Sequence, residues 1–245
     1  MFHFFADQSQ IEENKITITG ADVNHIKNVL RMKEGERALI SNRVDRDYLC
    51  RIKEFVPEAV SFEILEEMTD GTELPARIHL FQGLPKSDKM ELIIQKTVEL
   101  GVYRVIPVVM KRTVVKLDAK KEEARIKRWN AISESAAKQS KRIIIPEVTG
   151  VMSFKEALAA AKDYDLNLLP YECAEGIDGA RQAVSAAKPG MNIGIFIGPE
   201  GGFEEAEIEA AEAMGARILT LGKRILRTET AGLCLLSVLM FQLEN

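Results

Sequence analysis

The chain has 245 residues, with 33 Lys and Arg against 37 Asp and Glu, for a formal net charge of −4. Its 46% apolar and 29% charged residues exclude wholesale disorder, and its length suits two domains or one large one. The net charge, taken alone, argues against a nucleic-acid binder, which usually carries a basic excess.

Polar and apolar residues alternate over 16–19, 48–56 and 60–65, the period of half-buried strands. One helix interrupts them over 22–32, with Val23, Ile26, Val29 and Leu30 on one apolar face. Short strands around a single helix predict a small barrel. The turn-forming cluster Thr69, Asp70, Gly71, Thr72, Glu73, Leu74 and Pro75 then sets a domain boundary, with 1–72 before it and 73–245 after it.

Beyond the boundary, strand and helix alternate. A strand over 78–82 precedes a helix capped by Ser87 and stopped by Gly101, and a strand follows over 103–109. A helix over 125–139 and strands over 166–169 and 192–197 come next. A helix over 204–214 ends at Gly215, and a strand over 217–221 leads to a last helix over 230–243. This order predicts an α/β domain with a largely parallel sheet.

The sparse residues exclude several chemistries. Cys50, Cys173 and Cys234 form no CxxC pair and read as small core residues. His3, His25 and His79 lack metal-ligand spacing, so no metal site is expected. No secretory leader opens the sequence. The longest apolar stretch, 231–243, falls short of the ~20 residues of a membrane span. A reducing, cytoplasmic setting without membrane attachment is expected.

Ligands of open parallel sheets bind beyond the carboxyl ends of the strands, and three loops lie there. The first is Leu169-Pro170-Tyr171-Glu172. The second, after Ile197, is Gly198-Pro199-Glu200-Gly201-Gly202. The third carries Leu221, Gly222, Ile225, Leu226, Arg227, Thr228, Glu229, Thr230 and Ala231. The glycine loop is neither a P-loop nor GxGxxG, which argues against a nucleotide-dependent oxidoreductase. Glu200 would repel a phosphate, so a cationic ligand or an uncharged adenosine face suits the loop, unless it is only a tight turn. The third loop holds more polar residues than one helix cap needs.

Charge is unevenly spread. Residues 111–142 hold eleven Lys and Arg against four Asp and Glu, a local +7 that leaves −11 for the remainder. Such a band reads as a nucleic-acid surface or as a solvated helix face. Gln139 and Ser140 add hydrogen-bonding groups beside Lys138, Lys141 and Arg142.

Six segments carry a resemblance: NHIKNVLRMKEG from Asn24, GLPKSDKMELIIQKTVELGV from Gly83, KRTVVKL from Lys111, AAKQSKRIIIP from Ala136, GPEGGFEEAEI from Gly198 and LGKRILRTETA from Leu221. In this order, over nearly the whole chain, they resemble the bacterial 16S ribosomal RNA (uracil-N3)-methyltransferases of the RsmE type, in the SPOUT superfamily. A degenerate glycine or RTETA loop would mark a non-catalytic RNA-binding relative; neither loop is degenerate here.

The resemblance implies an N-terminal PUA-like β-barrel and a C-terminal SPOUT α/β domain with a trefoil knot, which periodicity does not reveal. It implies S-adenosylmethionine as cofactor, 16S rRNA of the 30S subunit as substrate, and a homodimer. Independently, the last helix is apolar around most of its circumference, which needs burial on several sides, by a partner or within one chain. By the same resemblance the three loops and Ile197 wrap the cofactor, with Leu221, Ile225 and Leu226 packed on the adenine. From the arginine and glutamate set close together in the RTETA loop, Arg227 is expected to steady the uracil anion, with Glu229 orienting it or relaying the proton; alternatively both only shape the knot. His25, Arg31, Lys86, Arg112, Gln139 and Arg142 are the expected RNA contacts. The chain departs from the family pattern at the 42–46 turn and at Lys138, both in expected RNA-facing regions.

Overall fold

Six strands organise the N-terminal part of the computed structural model, which describes residues 1–69, 71–172 and 176–244. They are β1 (Phe2–Phe5), β2 (Ile11–Glu12), β3 (Lys15–Thr19), β4 (Arg37–Ser41), β5 (Asp47–Val56) and β6 (Ala59–Met68), in the sheet order β1-β4-β5-β6-β3-β2. Register shifts between Leu49 and Cys50 and between Ile52 and Glu54 bend the long β5–β6 pair. Ile16, Ile18, Ile40, Cys50, Ile52, Val60 and Phe62 fill its core, and burial pushes the Cys50 thiol up to about 12. The expectations for Asp70 in the turn cluster and Cys173 in a core lie outside the described residues. Cys234 is only partly buried, which corrects its assignment to a core.

The expected helix over 22–32 is shorter and wider. Helix α1 (Ala21–Asn24) opens into a π-helical turn over His25–Val29, where the Leu30 N–H donates to the His25 carbonyl at 2.8 Å. The extra residue in this turn breaks the 3.6-residue period. Val23 and Ile26 stay buried, but Val29 turns outward and is 61% exposed. Arg31, at φ 53, ends the turn.

The chain divides into two compact units, Met1–Glu73 with Ala137–Ile145 and Leu74–Ala136 with Pro146–Asn245. In the first unit, Glu73 accepts hydrogen bonds from the Arg142 guanidinium and from the N–H groups of Ile143 (3.0 Å) and Ile144 (3.3 Å). Lys138 donates to Asp22 at 2.9 Å. His3 lies buried, its Nε2 2.6 Å from the Ser41 hydroxyl, which donates in turn to Asp47. Burial holds the His3 imidazole down to about 4 and raises the Asp47 carboxyl.

The second unit is an α/β domain. Its elements are β7 (Arg77–Gly83), α2 (Lys89–Glu99), β8 (Arg104–Val109), α3 (Ala119–Ser140, whose last turn counts with the first unit), β9 (Glu147–Val148) and β10 (Met152–Ser153). They continue with α4 (Phe154–Ala161), β11 (Leu166–Pro170), α5 (Ile177–Ser185), β12 (Asn192–Ile197), α6 (Glu205–Ala213), β13 (Arg217–Leu219) and α7 (Thr228–Leu243). The strands are parallel, in the order β10-β8-β7-β12-β11-β13, with β9 beside β8. Burial on both faces explains their nearly unbroken apolar runs; at the centre Phe81 stacks on Phe196 with ring centroids 4.5 Å apart.

From β7 the chain winds outward through β8, then returns through β11 and β12 to the other side of β7. That reversal is a topological switch point. Ser87 is not the cap of α2: it sits at φ 58, and Asp88 occupies the cap position. Gly101 (φ 90) and Gly215 (φ 97) do end their helices, in the left-handed conformation that glycine adopts freely. No helix among the described residues is long and apolar enough to cross a membrane, and no group of three His, Cys, Asp or Glu among them could hold a metal.

Candidate active site

The three expected loops follow β11, β12 and β13, and they converge on one cavity of about 390 Å³ in the second unit. Pro170, Tyr171 and Glu172 line it from the first loop. Ile197, Gly198, Pro199, Glu200, Gly201 and Gly202 line it from the second, and Leu221, Gly222, Ile225, Leu226, Arg227, Thr228 and Ala231 from the third. Three expected residues are not among the lining. Leu169 is fully buried in the core with Phe196 and Phe203, Thr230 is exposed on α7, and the Glu229 carboxylate turns to Lys89.

Close packing shapes the glycine loop. A Cβ on Gly83, at the end of β7, would meet the Pro199 nitrogen at 2.6 Å, so only glycine lets the loop approach the strand. On the other side the Arg112 guanidinium donates to the Gly201 carbonyl at 3.0 Å. Thr228 joins the loops: its hydroxyl donates to the Gly198 carbonyl at 2.6 Å and accepts from the buried Gln82 amide at 2.8 Å. The first turn of α7 is thereby pinned to the glycine loop and to β7.

The charged groups are ordered. Glu200 accepts the Lys86 N–H at 3.0 Å and lies 3.1 Å from the Lys89 ammonium. Burial alone would raise the Glu200 carboxyl, but backbone N–H bonds and Lys89 outweigh it and hold it below the usual carboxylate range. The hydrogen bond to Glu200, then the nearby Glu229 carboxylate, raises the Lys89 ammonium. Lys89 also stands 3.2 Å from Glu229 Oε2. The expectation that Glu229 orients Arg227 is corrected here: among the described residues its ionic partner is Lys89. Arg227, at the cap position of α7, is exposed to the cavity.

The expected RNA contacts fare unequally. In the first unit His25, Arg31 and Gln139 are exposed, but Arg142 is 3% exposed and clasped by Glu73, so it is a structural cation there rather than a surface contact. In the second unit Lys86 is exposed, and exposed Arg112 lies at the cavity. Sequence reasoning missed Lys89, Phe203, Thr220 and Arg224 in the lining, and Gln82 behind it. Gln82 had a signal, a lone amide ending an apolar strand. Lys89 had none, since a lysine in the first turn of a helix is ordinary.

With this geometry in place, comparison with known proteins is decisive. A family profile described as an RNA methyltransferase domain matches residues 72–240, and one described as an RNA methyltransferase PUA domain matches 18–65. The protein is a methyltransferase of the PUA-containing RNA-modifying class. "Ribosomal RNA small subunit methyltransferase E" of Bacillus subtilis (strain 168) is 39% identical over 97% of this chain and 94% of its own length. The protein of the same name from Mesomycoplasma hyopneumoniae (strain 232) is 35% identical over 97% and 98%. The crystal structure of a ribosomal RNA small subunit methyltransferase E from Neisseria gonorrhoeae, bound to S-adenosyl methionine, superposes with a TM-score of 0.82 at 30% identity, covering 97% of this chain and 95% of that one. The chain belongs to the ribosomal RNA small subunit methyltransferase E family.

Proposed function

We propose that the protein transfers the methyl group of S-adenosylmethionine to N3 of one uridine in 16S ribosomal RNA. The observation that carries this reading is the convergence of three strand-end loops on one cavity that pairs an ionised glutamate with an exposed arginine and has no phosphate-binding loop. The cavity volume falls within the ~300–1,000 Å³ usual for small-molecule sites. Its fit to the cofactor rests on chemistry: the glycine loop offers backbone groups, Glu200 can face a cation, and Ile225, 82% exposed, offers apolar surface. When bound, S-adenosylmethionine supplies an electrophilic methyl group on a sulfonium.

The protein's own residues supply the rest. Uracil N3 carries a proton near neutral pH, so that proton has to leave and the resulting anion needs a fixed cation beside its carbonyl oxygens. Arg227 takes that role, and Glu229 accepts the proton. Because N3 lies on the pairing edge, the uridine enters unpaired or flipped from its stack. In this reading 1–72 is the RNA-binding domain, with His25 and Arg31 as contacts. Residues 73–245 are the catalytic domain, with Lys86, Arg112 and Gln139 as contacts.

The finer parts of the reading have separate support. A trefoil knot around the 198–202 and 221–231 segments is consistent with the Gln82–Thr228–Gly198 hydrogen bonds that hold them together. A homodimer would cover Val238 and Phe241 of α7, 46% and 72% exposed. The substrate is the 30S subunit, the setting the cytoplasm, and no metal is needed. Labelled S-adenosylmethionine mixed with the protein and 30S subunits lacking the modification should label the RNA. No label, on subunits or on naked RNA, contradicts the reading.

A further inference from the structure

We infer that Lys89 is a positioning residue, one that holds Glu200 of the glycine loop and Glu229 of α7 together beside the cavity and so places Glu229 to accept the uracil proton. The inference rests on the reading of Glu229 given above. No catalytic role is otherwise attached to Lys89; what singles it out is its place between the two loops.

Its ammonium stands 3.1 Å from Glu200 Oε1 and 3.2 Å from Glu229 Oε2. The three side chains are only 26%, 28% and 17% exposed, which limits screening by water. Glu200 stands at the middle of the glycine loop after β12 and Glu229 lies in the first turn of α7, so the lysine ties together two segments distant in sequence. Glu200 is held independently by the Lys86 N–H; among the described residues the cation paired with Glu229 is Lys89. Helix α7 packs against α2, α5, β7 and β12. On α2, Glu91 pairs with Arg128, and Lys96 with Glu99. On α5, Asp178 pairs with Arg181. On β7, Arg77 lies over the Tyr103 ring and buried His79 meets Asn192, while β12 carries no charge. Among the described residues of those elements, Lys89 is the cation that reaches Glu229.

Two carboxylates drawn to one ammonium leave the cluster at −1. Remove the ammonium, and each carboxylate feels an uncompensated like charge, which disfavours ionisation of both. In the proton step the N3–H bond breaks, its electron pair stays on N3, and the proton forms an O–H bond with Glu229. A Glu229 already protonated cannot accept it, so loss of Lys89 should appear as a demand for higher pH.

The test compares the unmodified protein with Lys89→Met and Lys89→Arg. The carboxylate carbons of the cofactor-free protein, labelled in glutamate, are titrated by NMR, and single-turnover methyl transfer is followed against pH at saturating cofactor. Lys89→Met should move both the titration of the Glu200–Glu229 pair and the acid limb of the rate profile upward by about one pH unit. Lys89→Arg should restore both, with an unchanged melting temperature in each variant. Unmoved titration and acid limb, even with a slower rate, overturn the inference, as does a loss of melting temperature that the arginine does not rescue. If the unmodified protein does not methylate uridine N3, the functional reading fails, while the carboxylate titration still judges the hold of Lys89 on the pair.

Discussion

Glu73 with Arg142 in the first unit, and Glu200 and Glu229 with Lys89 in the second, are clusters of the same chemistry in different settings. Arg142 is 3% exposed, and Glu73 accepts two backbone N–H groups besides the guanidinium, so the pair fastens 142–144 into the unit. Lys89 sits at a cavity, and its partners belong to two loops that line or flank it. A buried ion pair whose carboxylate is also fastened to backbone is structure. One that opens on a cavity can change its charge state with the ligand, and that is where chemistry is to be sought.

The comparison breaks most sharply at the two arginines. Arg227→Ala should keep the calorimetric affinity for S-adenosylmethionine and lower turnover by roughly 10²–10³-fold, the usual effect of deleting one anion-stabilising donor. Equal loss of binding and turnover would leave Arg227 a shaping residue. Arg142→Ala should act on the fold: breaking a buried pair from one side costs about 3 kcal/mol, read as a lower urea midpoint. Normal stability with weakened RNA binding would move Arg142 back to the surface role expected from its basic neighbours.

Acid sharpens the contrast between the units. Burial holds His3 and His79 down to about 4, against an ordinary value of 6.5, so each takes up a proton more readily when unfolded. Stability should therefore hold above pH 6.5 and fall as pH drops from 6.5 to 4, by roughly 2–3 kcal/mol for each histidine. In the first unit the raised Asp47 carboxyl opposes this, because the folded form binds its proton more readily. His79→Gln should flatten the acid limb of a stability–pH curve; an unaltered limb would contradict the assignment. The smallest effect belongs to Val29, turned outward by the π-helical turn: Val29→Asn should shift stability by no more than about 0.5 kcal/mol. A larger loss would mean that the helical face reaches the core after all.

These cases also show what could be read in advance. The strands β7, β11 and β12, the helix-stopping glycines and the site loops announce themselves locally, through apolar runs and turn residues, and so they were legible. Helix α4 was legible too and was passed over: Ser153 and Glu156 form a reciprocal capping box. The π-helical turn was not, because its residues still suggest a 3.6-residue period. Arg142 was misread because its partner lies 69 residues earlier, and Lys89 because its meaning comes from two loops that only the fold brings together. The acidic overall charge misled for a related reason, since the average conceals where the cations sit.

The central claim is the identity of the methylated atom. After labelled transfer to 30S subunits lacking the modification, the RNA is digested to nucleosides and the labelled product identified by mass spectrometry against standards. The account predicts 3-methyluridine from a single position, formed roughly 10²–10³-fold more slowly with Arg227→Ala. Label on cytosine, on guanine or on a ribose 2′-hydroxyl would contradict it.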